Sequence, residues 1–452
     1  MVKIAILGGG GVRTPLLVEA LITRQEQLGL REVALMDIAD ERLELIGGIT
    51  APQEGQAGFA VTRATDARAA LTGADFVITT FRVGGMEARV VDERVPLAHG
   101  VLGQETTGPG GFAMAMRSIP VLLAYVQLMQ EVCPHAWLIN FANPAGMMAE
   151  VASRVAGWPR TVGICDAPSA IHHVVAVAAG AAPEQVYLDY FGLNHLGWVR
   201  AVRHNGQDLL PQLLAMLQQM GPLPGFPFAP EFVAALGMIP NEYLFYYYHT
   251  RTAVEHILQA GRTRGEQILA LNDQLFADLQ RLRAENNPAG MMLAYRVYLG
   301  RRGGTYMAVE TGLASESLPP ALLEAAASGG YANVALDLIE SLSGRPRVMF
   351  LNVPNQGAIR AMDDADVVEV PVYVGRGIVQ PLAVGGVPDH CLGLMQQVKA
   401  YERLTIAAAV DGSYELAWKA LALHPLVPDA GVAKEILEEY RAAHGVLFPA
   451  LA

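Results

Sequence analysis

Cysteine is scarce: Cys133, Cys165 and Cys391 are the only three among 452 residues. An odd, widely spaced set cannot build a disulfide framework. That excludes a small secreted scaffold and predicts a reducing cytoplasm, where a thiol serves as a ligand or nucleophile. Charge is sparse too, with Lys, Arg, Asp and Glu making 17% of the residues, below the ~25% of ordinary soluble domains. The balance is acidic, −12 from 32 basic and 44 acidic side chains, so the broad basic footprint of a nucleic-acid groove is missing. A local pair of arginines could still hold an anionic substrate. Long apolar runs are absent as well. Four apolar residues follow Met1-Val2-Lys3 before a glycine run, too few for a signal segment, and the apolar stretch around 119–128 is interrupted by Gln127 and ended by Gln130 and Glu131. What is abundant is apolar residues, 52%, and glycine, 46 residues. A large-cored cytoplasmic protein is expected, without a membrane or nucleic-acid partner.

The first third alternates strand and helix. Residues 2–7 are apolar except Lys3, as in a buried parallel strand. Gly8-Gly9-Gly10-Gly11 follows, then Val12, Arg13, Thr14-Pro15 and the helical periodicity of Leu16, Leu17, Leu21 and Ile22. A second strand, 32–36, ends at Asp37, 29 residues beyond Gly8. That is a dinucleotide-binding layout. Glycines let the backbone approach a pyrophosphate, the helix start faces its charge, and the acid takes the ribose hydroxyls. Arg13 occupies the third glycine's place, so an ordinary glycine turn is the alternative. Strand, glycines and acid together favour the nucleotide, and Asp37 favours NAD over NADP because it repels a 2′-phosphate. Further strands at 76–80, 137–141 and 161–164 each run into polar or Gly-rich residues, where an open parallel sheet binds its ligands. From about residue 191 long helical stretches dominate, with short strands at 348–351 and 367–374, and 221–229 reads as a surface loop. The expected class is α/β: a Rossmann-like NAD-binding domain over 1–190 and a mixed, largely helical catalytic domain over 191–452.

Several segments are chemically dense. Gly103 to Gly111 (GQETTGPGG) supplies Gln104, Glu105 and many backbone groups, though a flexible loop has the same composition. Asn140 and Asn143 could bond sugar hydroxyls or cap a turn before Pro144. Cys165 and His195 could share a divalent metal, but 30 residues separate them and no short zinc spacing applies. On their own they read as a buried thiol and a core histidine, and His172-His173 as helix decoration. Tyr243, Tyr246, Tyr247 and Tyr248 read as packing, since a tyrosine base needs a nearby cation to lower a pKa of about 10. Arg262 and Arg264 could hold a phosphate or form a solvated patch.

Taken together, KIAILGGGGVRTP, FRVGGMEARVVDERVPLAHGVLGQETTGPGGF, NFANPAG, GICDAP, YFGLNHLGW, IPNEYLFYYY, VKAYERLTI and LALHPLVPD resemble glycoside hydrolase family 4, the NAD- and metal-dependent glycosidases. The blocks span residues 3 to about 430 in family order, and the whole pattern most resembles the 6-phospho-β-glucosidases. The resemblance implies hydrolysis through redox chemistry: NAD oxidises the sugar's C3 hydroxyl, a base takes the acidified C2 proton, and the aglycone leaves C1 by β-elimination. Water then adds and C3 is reduced again. It also implies roles for individual residues. Cys165 and His195 match metal ligands, Mn²⁺ for preference. Tyr243 matches the base, and Arg89, Asn143 and Asn194 match sugar-contacting positions. Arg264 is the choice for the 6-phosphate, while Gly8, Gly10, Gly11, Val12, Arg13, Asp37 and Thr80 line the cofactor.

Two departures stand out. Arg13 lies where many members carry tyrosine, so it would contact cofactor phosphate or replace a substrate contact. Asp166 follows the metal-ligand cysteine where β-acting members often carry asparagine and α-acting members aspartate; a carboxylic acid there could protonate the leaving oxygen. An α-glycosidase of the same family, acting on phosphorylated or plain sugars, is therefore an alternative, as is a 2-hydroxy-acid dehydrogenase sharing the dinucleotide fold. Family members are commonly dimers or tetramers, and a homo-oligomer is expected.

Overall fold

The computed structural model describes residues 1–223, 225–313 and 320–452; part of the expected loop at 221–229 lies outside them. One sheet of thirteen strands runs through the molecule. Its parallel part contains β1 (Val2–Leu7), β2 (Leu30–Met36), β3 (Ala60–Ala64), β4 (Phe76–Thr79), β5 (Trp137–Asn140) and β6 (Thr161–Gly163). These lie in the order 3-2-1-4-5-6 of a doubly wound dinucleotide fold. β1 and β4 are nearly or wholly buried, as strands covered on both faces must be. The order reverses between β1 and β4, so their carboxyl ends open the crevice that takes a ligand.

Antiparallel strands extend this sheet. β7 (Tyr187–Leu193) and β8 (Leu196–His204) form a hairpin, β9 (Gln207–Asp208) and β10 (Ile239–Pro240) pair β8, and β11 (Arg347–Pro354), β12 (Val367–Gly375) and β13 (Ile378–Pro381) form a meander. The joins are narrow: Asn352 pairs with Gly163 between β11 and β6, and Glu369 with Gly192 between β12 and β7. The sheet thus crosses position 190 without a break.

The stretch that looked too short to span a membrane belongs to a longer helix, Pro109–Val132, the one helix among the described residues long and apolar enough to cross one. Its apolar side chains, Phe112, Met116, Ile119, Leu122 and Val126 among them, lie in the main core instead. The sequence reading missed its length because it starts inside the glycine loop at Pro109, a residue suited to a first turn.

Candidate functional site

The glycine turn joins β1 to the helix Thr14–Thr23. Gly8 has φ +100, and a Cβ there would come within 2.7 Å of Phe81 N and Thr80 Oγ1. The Gly10 amide donates to Asp37 Oδ2 at 3.0 Å, so the acid at the end of β2 braces the turn. Thr80 Oγ1 donates to the Leu7 and Gly8 carbonyls, and the Val12 carbonyl accepts from Tyr295 Oη at 2.8 Å. No side chain caps the following helix; Thr14 N donates to Gly11 O and Leu17 N to Arg13 O, while the Val12 and Arg13 amides of the turn keep their N–H groups for an anion. These residues fit a pyrophosphate and ribose. Arg13 departs from the turn: its guanidinium lies against the edge-to-face pair of Phe141 and Tyr331, at 5.1 and 5.0 Å from their centroids, which are themselves 3.8 Å apart.

Cys165 and Asp166 emerge from β6 just before the helix Ala167–Ala178. Asp166 stands at that helix's N-cap, yet its carboxyl makes no capping bond. His195 follows Asn194 in the tight turn between β7 and β8 and takes the unusual φ of +63. Tyr243 reaches it by a separate route. Pro240, tolerated on an edge strand, pairs with Trp198 of β8. The next residue, buried Asn241, donates its amide to Gly197 O at 2.9 Å and accepts from Tyr243 N at 3.0 Å. The Tyr243 ring thereby stacks on His195, centroids 3.6 Å apart and planes within 7°.

Burial lowers the His195 pKa to about 4, leaving a neutral imidazole. Its Nδ1 is buried without a hydrogen-bond partner, as is Asn194 Oδ1. Burial also raises the Cys165 thiol well above its ordinary value, and the Glu369 and Asp166 carboxyls push it further. For Tyr243 burial comes first, then Cys165, Glu242 and Asp166; all four raise its phenol, and only a hydrogen bond from Tyr306 opposes them. Acids, a thiol, an orphaned imidazole nitrogen and an elevated phenol are the donor set that a divalent cation would satisfy. Among the described residues no three His, Cys, Asp or Glu side chains converge as a full metal cage. Cys165 and His195 would therefore leave coordination positions to substrate oxygens or water.

Other predicted residues surround this centre. Arg89 is buried, donates to Glu93 at 2.8 Å and pairs with Glu105 at 2.9 Å. Burial pushes the Glu105 carboxyl up, but Arg89 and Arg82, which it also contacts, hold it well below the usual range. Asn194 Nδ2 donates to Glu369 at 3.3 Å, and the side chain of Asn143 lies partly open beside β5. Asn140 is spent on structure, accepting from Thr79 and donating to the Ala142 and Ala145 carbonyls. Arg264 donates to Thr305 O and covers the Tyr306 ring at 5.0 Å, while Arg262 is exposed.

Sequence reasoning missed three contributors. Tyr306 Oη lies 2.7 Å from Tyr243 Oη and 3.2 Å from Glu242 Oε1. Burial raises Glu242 to about 7. Tyr331 has a buried hydroxyl without a partner. Glu242 was visible inside IPNEY, but neither tyrosine belongs to a block that the resemblance used. Among the tyrosines that read as packing, Tyr246 is in the core and Tyr248 accepts from Trp198 Nε1 at 3.0 Å; His172 bonds a backbone carbonyl on its helix flank.

Two family models match the chain: family 4 glycosyl hydrolase over residues 3–180 and the family 4 glycosyl hydrolase C-terminal domain over 190–427. A Bacillus subtilis protein named as a probable 6-phospho-β-glucosidase is 35% identical over 461 residues, covering 99% of this chain and 97% of its own. The 6-phospho-α-glucosidase 1 of Lacticaseibacillus paracasei is 32% identical over 472 residues, covering 99% and 98%. Among solved structures, the 6-phospho-β-glucosidase of Thermotoga maritima with manganese, NAD⁺ and glucose 6-phosphate superposes with a TM-score of 0.83 at 30% identity, all of both chains covered.

Proposed function

The chain belongs to glycosyl hydrolase family 4, and on that premise we propose that it hydrolyses 6-phospho-β-glucosides with NAD and a divalent cation, Mn²⁺ for preference. The observation that carries the reading is Tyr243 stacked on His195, whose Nδ1 is buried without a partner. Bound NAD would supply a reversible two-electron oxidation of the sugar, and a divalent cation would supply Lewis acidity. Cys165 and His195 hold the cation, and Gly8, Gly10, Gly11, Val12, Asp37 and Thr80 hold the cofactor. Tyr243, as the phenolate that a neighbouring cation would favour, takes the proton from C2 on Oη, and the hydrogen bond that Tyr306 Oη donates to it steadies that phenolate before the transfer. Asp166 gives a proton to the leaving oxygen and then takes one from the entering water. Arg89, Asn143 and Asn194 orient the sugar hydroxyls, and Arg264 takes the 6-phosphate. In this reading residues 1–190 carry the cofactor and 191–452 most of the sugar site. The enzyme works in the cytoplasm as a dimer or tetramer, with neither membrane nor nucleic acid as partner.

Asp166, together with an α-acting relative of similar identity, supports a second reading in which the α-linked phosphosugar is cleaved. Paired 4-nitrophenyl α- and β-glucosides, each with and without a 6-phosphate, distinguish the two. The β-6-phosphate is the expected substrate, and no turnover of it would refute the lead reading. In D₂O the released sugar should carry deuterium at C2; its absence would rule out Tyr243 as a base at that carbon. A dehydrogenase would instead accumulate NADH as substrate is consumed.

A further inference from the structure

Arg13 begins in the glycine turn, and its guanidinium ends near Asp166, Glu105 and Tyr243. Its guanidinium rests against one side of the edge-to-face pair Phe141 and Tyr331, whose ring centroids are 3.8 Å apart, which restrains a planar cation and leaves its other side open to a partner. Among the described residues its N–H groups have no acceptor and no carboxylate forms an ion pair with it. Its neighbours are occupied. Arg82 and Arg89 serve Glu105 and Glu93, Arg264 donates to Thr305 O, and Arg302 donates to Tyr298 Oη. A positioned guanidinium with its donors unspent is a binding group waiting for oxygen.

Its surroundings show which oxygen. Phe141 follows β5, and the adjacent β6 delivers Asp166. On the other side, the turn before Tyr331 packs on the first turn of the Asp166 helix, so closely that a Cβ at Gly329 would lie 2.7 Å from Ala170 N. Arg13 therefore looks across at Asp166 without touching it. Burial depresses its pKa, but Asp166 foremost, then Tyr331, Glu105 and Tyr243, outweigh that effect. The Asp166 carboxyl is unspent on its own helix, and Tyr331 Oη is buried without a partner. Guanidinium, hydroxyl and carboxyl thus lie in one neighbourhood, a polar set that suits a hydroxylated group better than a bare aromatic ring.

We propose that Arg13 is a specificity-determining residue of the leaving-group subsite, where its guanidinium and Tyr331 Oη bind the oxygens of a second sugar. The assignment rests on the reading above that Asp166 serves the glycosidic oxygen, since a group facing that acid meets the aglycone. The favoured substrate class is then a phosphorylated disaccharide rather than an aryl glucoside.

The test uses the NAD- and Mn²⁺-loaded enzyme with two substrates: a β-linked glucose disaccharide phosphorylated at O6 of its non-reducing sugar, and 4-nitrophenyl β-glucoside 6-phosphate. For Arg13→Met, kcat/KM on the disaccharide should fall roughly 10- to 100-fold, the range expected for lost charged hydrogen bonds. On the aryl substrate it should change less than about threefold, because nitrophenolate offers no hydroxyls to hold. Tyr331→Phe, which keeps the ring against Arg13, should shift the ratio in the same direction by less. Calorimetric affinities for NAD and for glucose 6-phosphate should stay level. Equal losses on both substrates overturn the proposal. So does weaker NAD binding, which would make Arg13 a cofactor residue, or weaker glucose 6-phosphate binding, which would put it on the 6-phosphate. A wild-type enzyme inert toward both substrates refutes the hydrolase reading itself and the proposal with it.

Discussion

At the scale of single residues, a few atoms carry the chemistry. Tyr243→Phe removes the proton acceptor and should lower kcat by roughly 10²- to 10⁴-fold while NAD and Mn²⁺ still bind, which calorimetry checks. Tyr306→Phe removes the hydroxyl 2.7 Å from Tyr243 Oη. It should cost about 10- to 100-fold in kcat with KM little changed, the size of a hydrogen bond to a charged partner. Cys165→Ser replaces a soft ligand by a hard one and should weaken Mn²⁺ binding in equilibrium dialysis; unchanged affinity would remove Cys165 from the site. The first and third of these residues were legible through their motifs, but no local feature singled out Tyr243 from its three tyrosine neighbours. Tyr306 was invisible because its partner is 63 residues away.

At the scale of elements, the GQETTGPGG segment is a rigid corner. Gln104 Oε1 accepts from the amides of Thr106 and Thr107 at 2.7 and 2.6 Å. A Cβ at Gly103, Gly110 or Gly111 would collide with the carbonyls of Glu93, Gln104 and Thr106 respectively. Gly111→Ala should therefore destabilise the protein by about 3 kcal/mol or more, seen as a lower urea midpoint. Composition alone could not separate this corner from a loose loop, since the close carbonyl at Gly103 comes from another element. β1, β2, β4, β5 and β6 were legible to within a residue or two because their apolar runs are largely buried, whereas β3 was missed: AVTRA has no apolar run and is largely exposed. The β7–β8 hairpin was less so: FGLNHLGW has no Asn-Gly or Asp-Gly turn, and His195 itself adopts the left-handed backbone. RTRGE drew attention as a basic pair, yet its main role is a capping box. Thr263 and Glu266 cap the helix Arg264–Ala284 reciprocally, which sets Arg264 at its first position.

At the scale of the whole molecule, buried ionisable groups link stability to pH. His424 is fully enclosed, its ring 4.4 Å from that of Tyr401, and burial pushes its pKa down to about 3 from 6.5. Folded, it stays neutral; unfolded, it takes up a proton below pH 6.5. Its contribution is complete above that pH and drains away as pH falls from 6.5 toward 3, by about 2 kcal/mol at pH 5. Melting curves at pH 7 and 5 should show this loss, and His424→Gln should flatten it. The unbroken sheet has a consequence for how the gene could be divided. The two matched family segments, ending at residue 180 and beginning at residue 190, suggest a natural cut between them, ahead of β7 at Tyr187. Severed there, the N-terminal piece would bare β6 and the C-terminal piece would bare β11, each a raw edge that recruits stray strands. Fragments made separately should aggregate, whereas fragments made together should reassemble by zipping β6 to β11 and regain activity in proportion to the edge they restore.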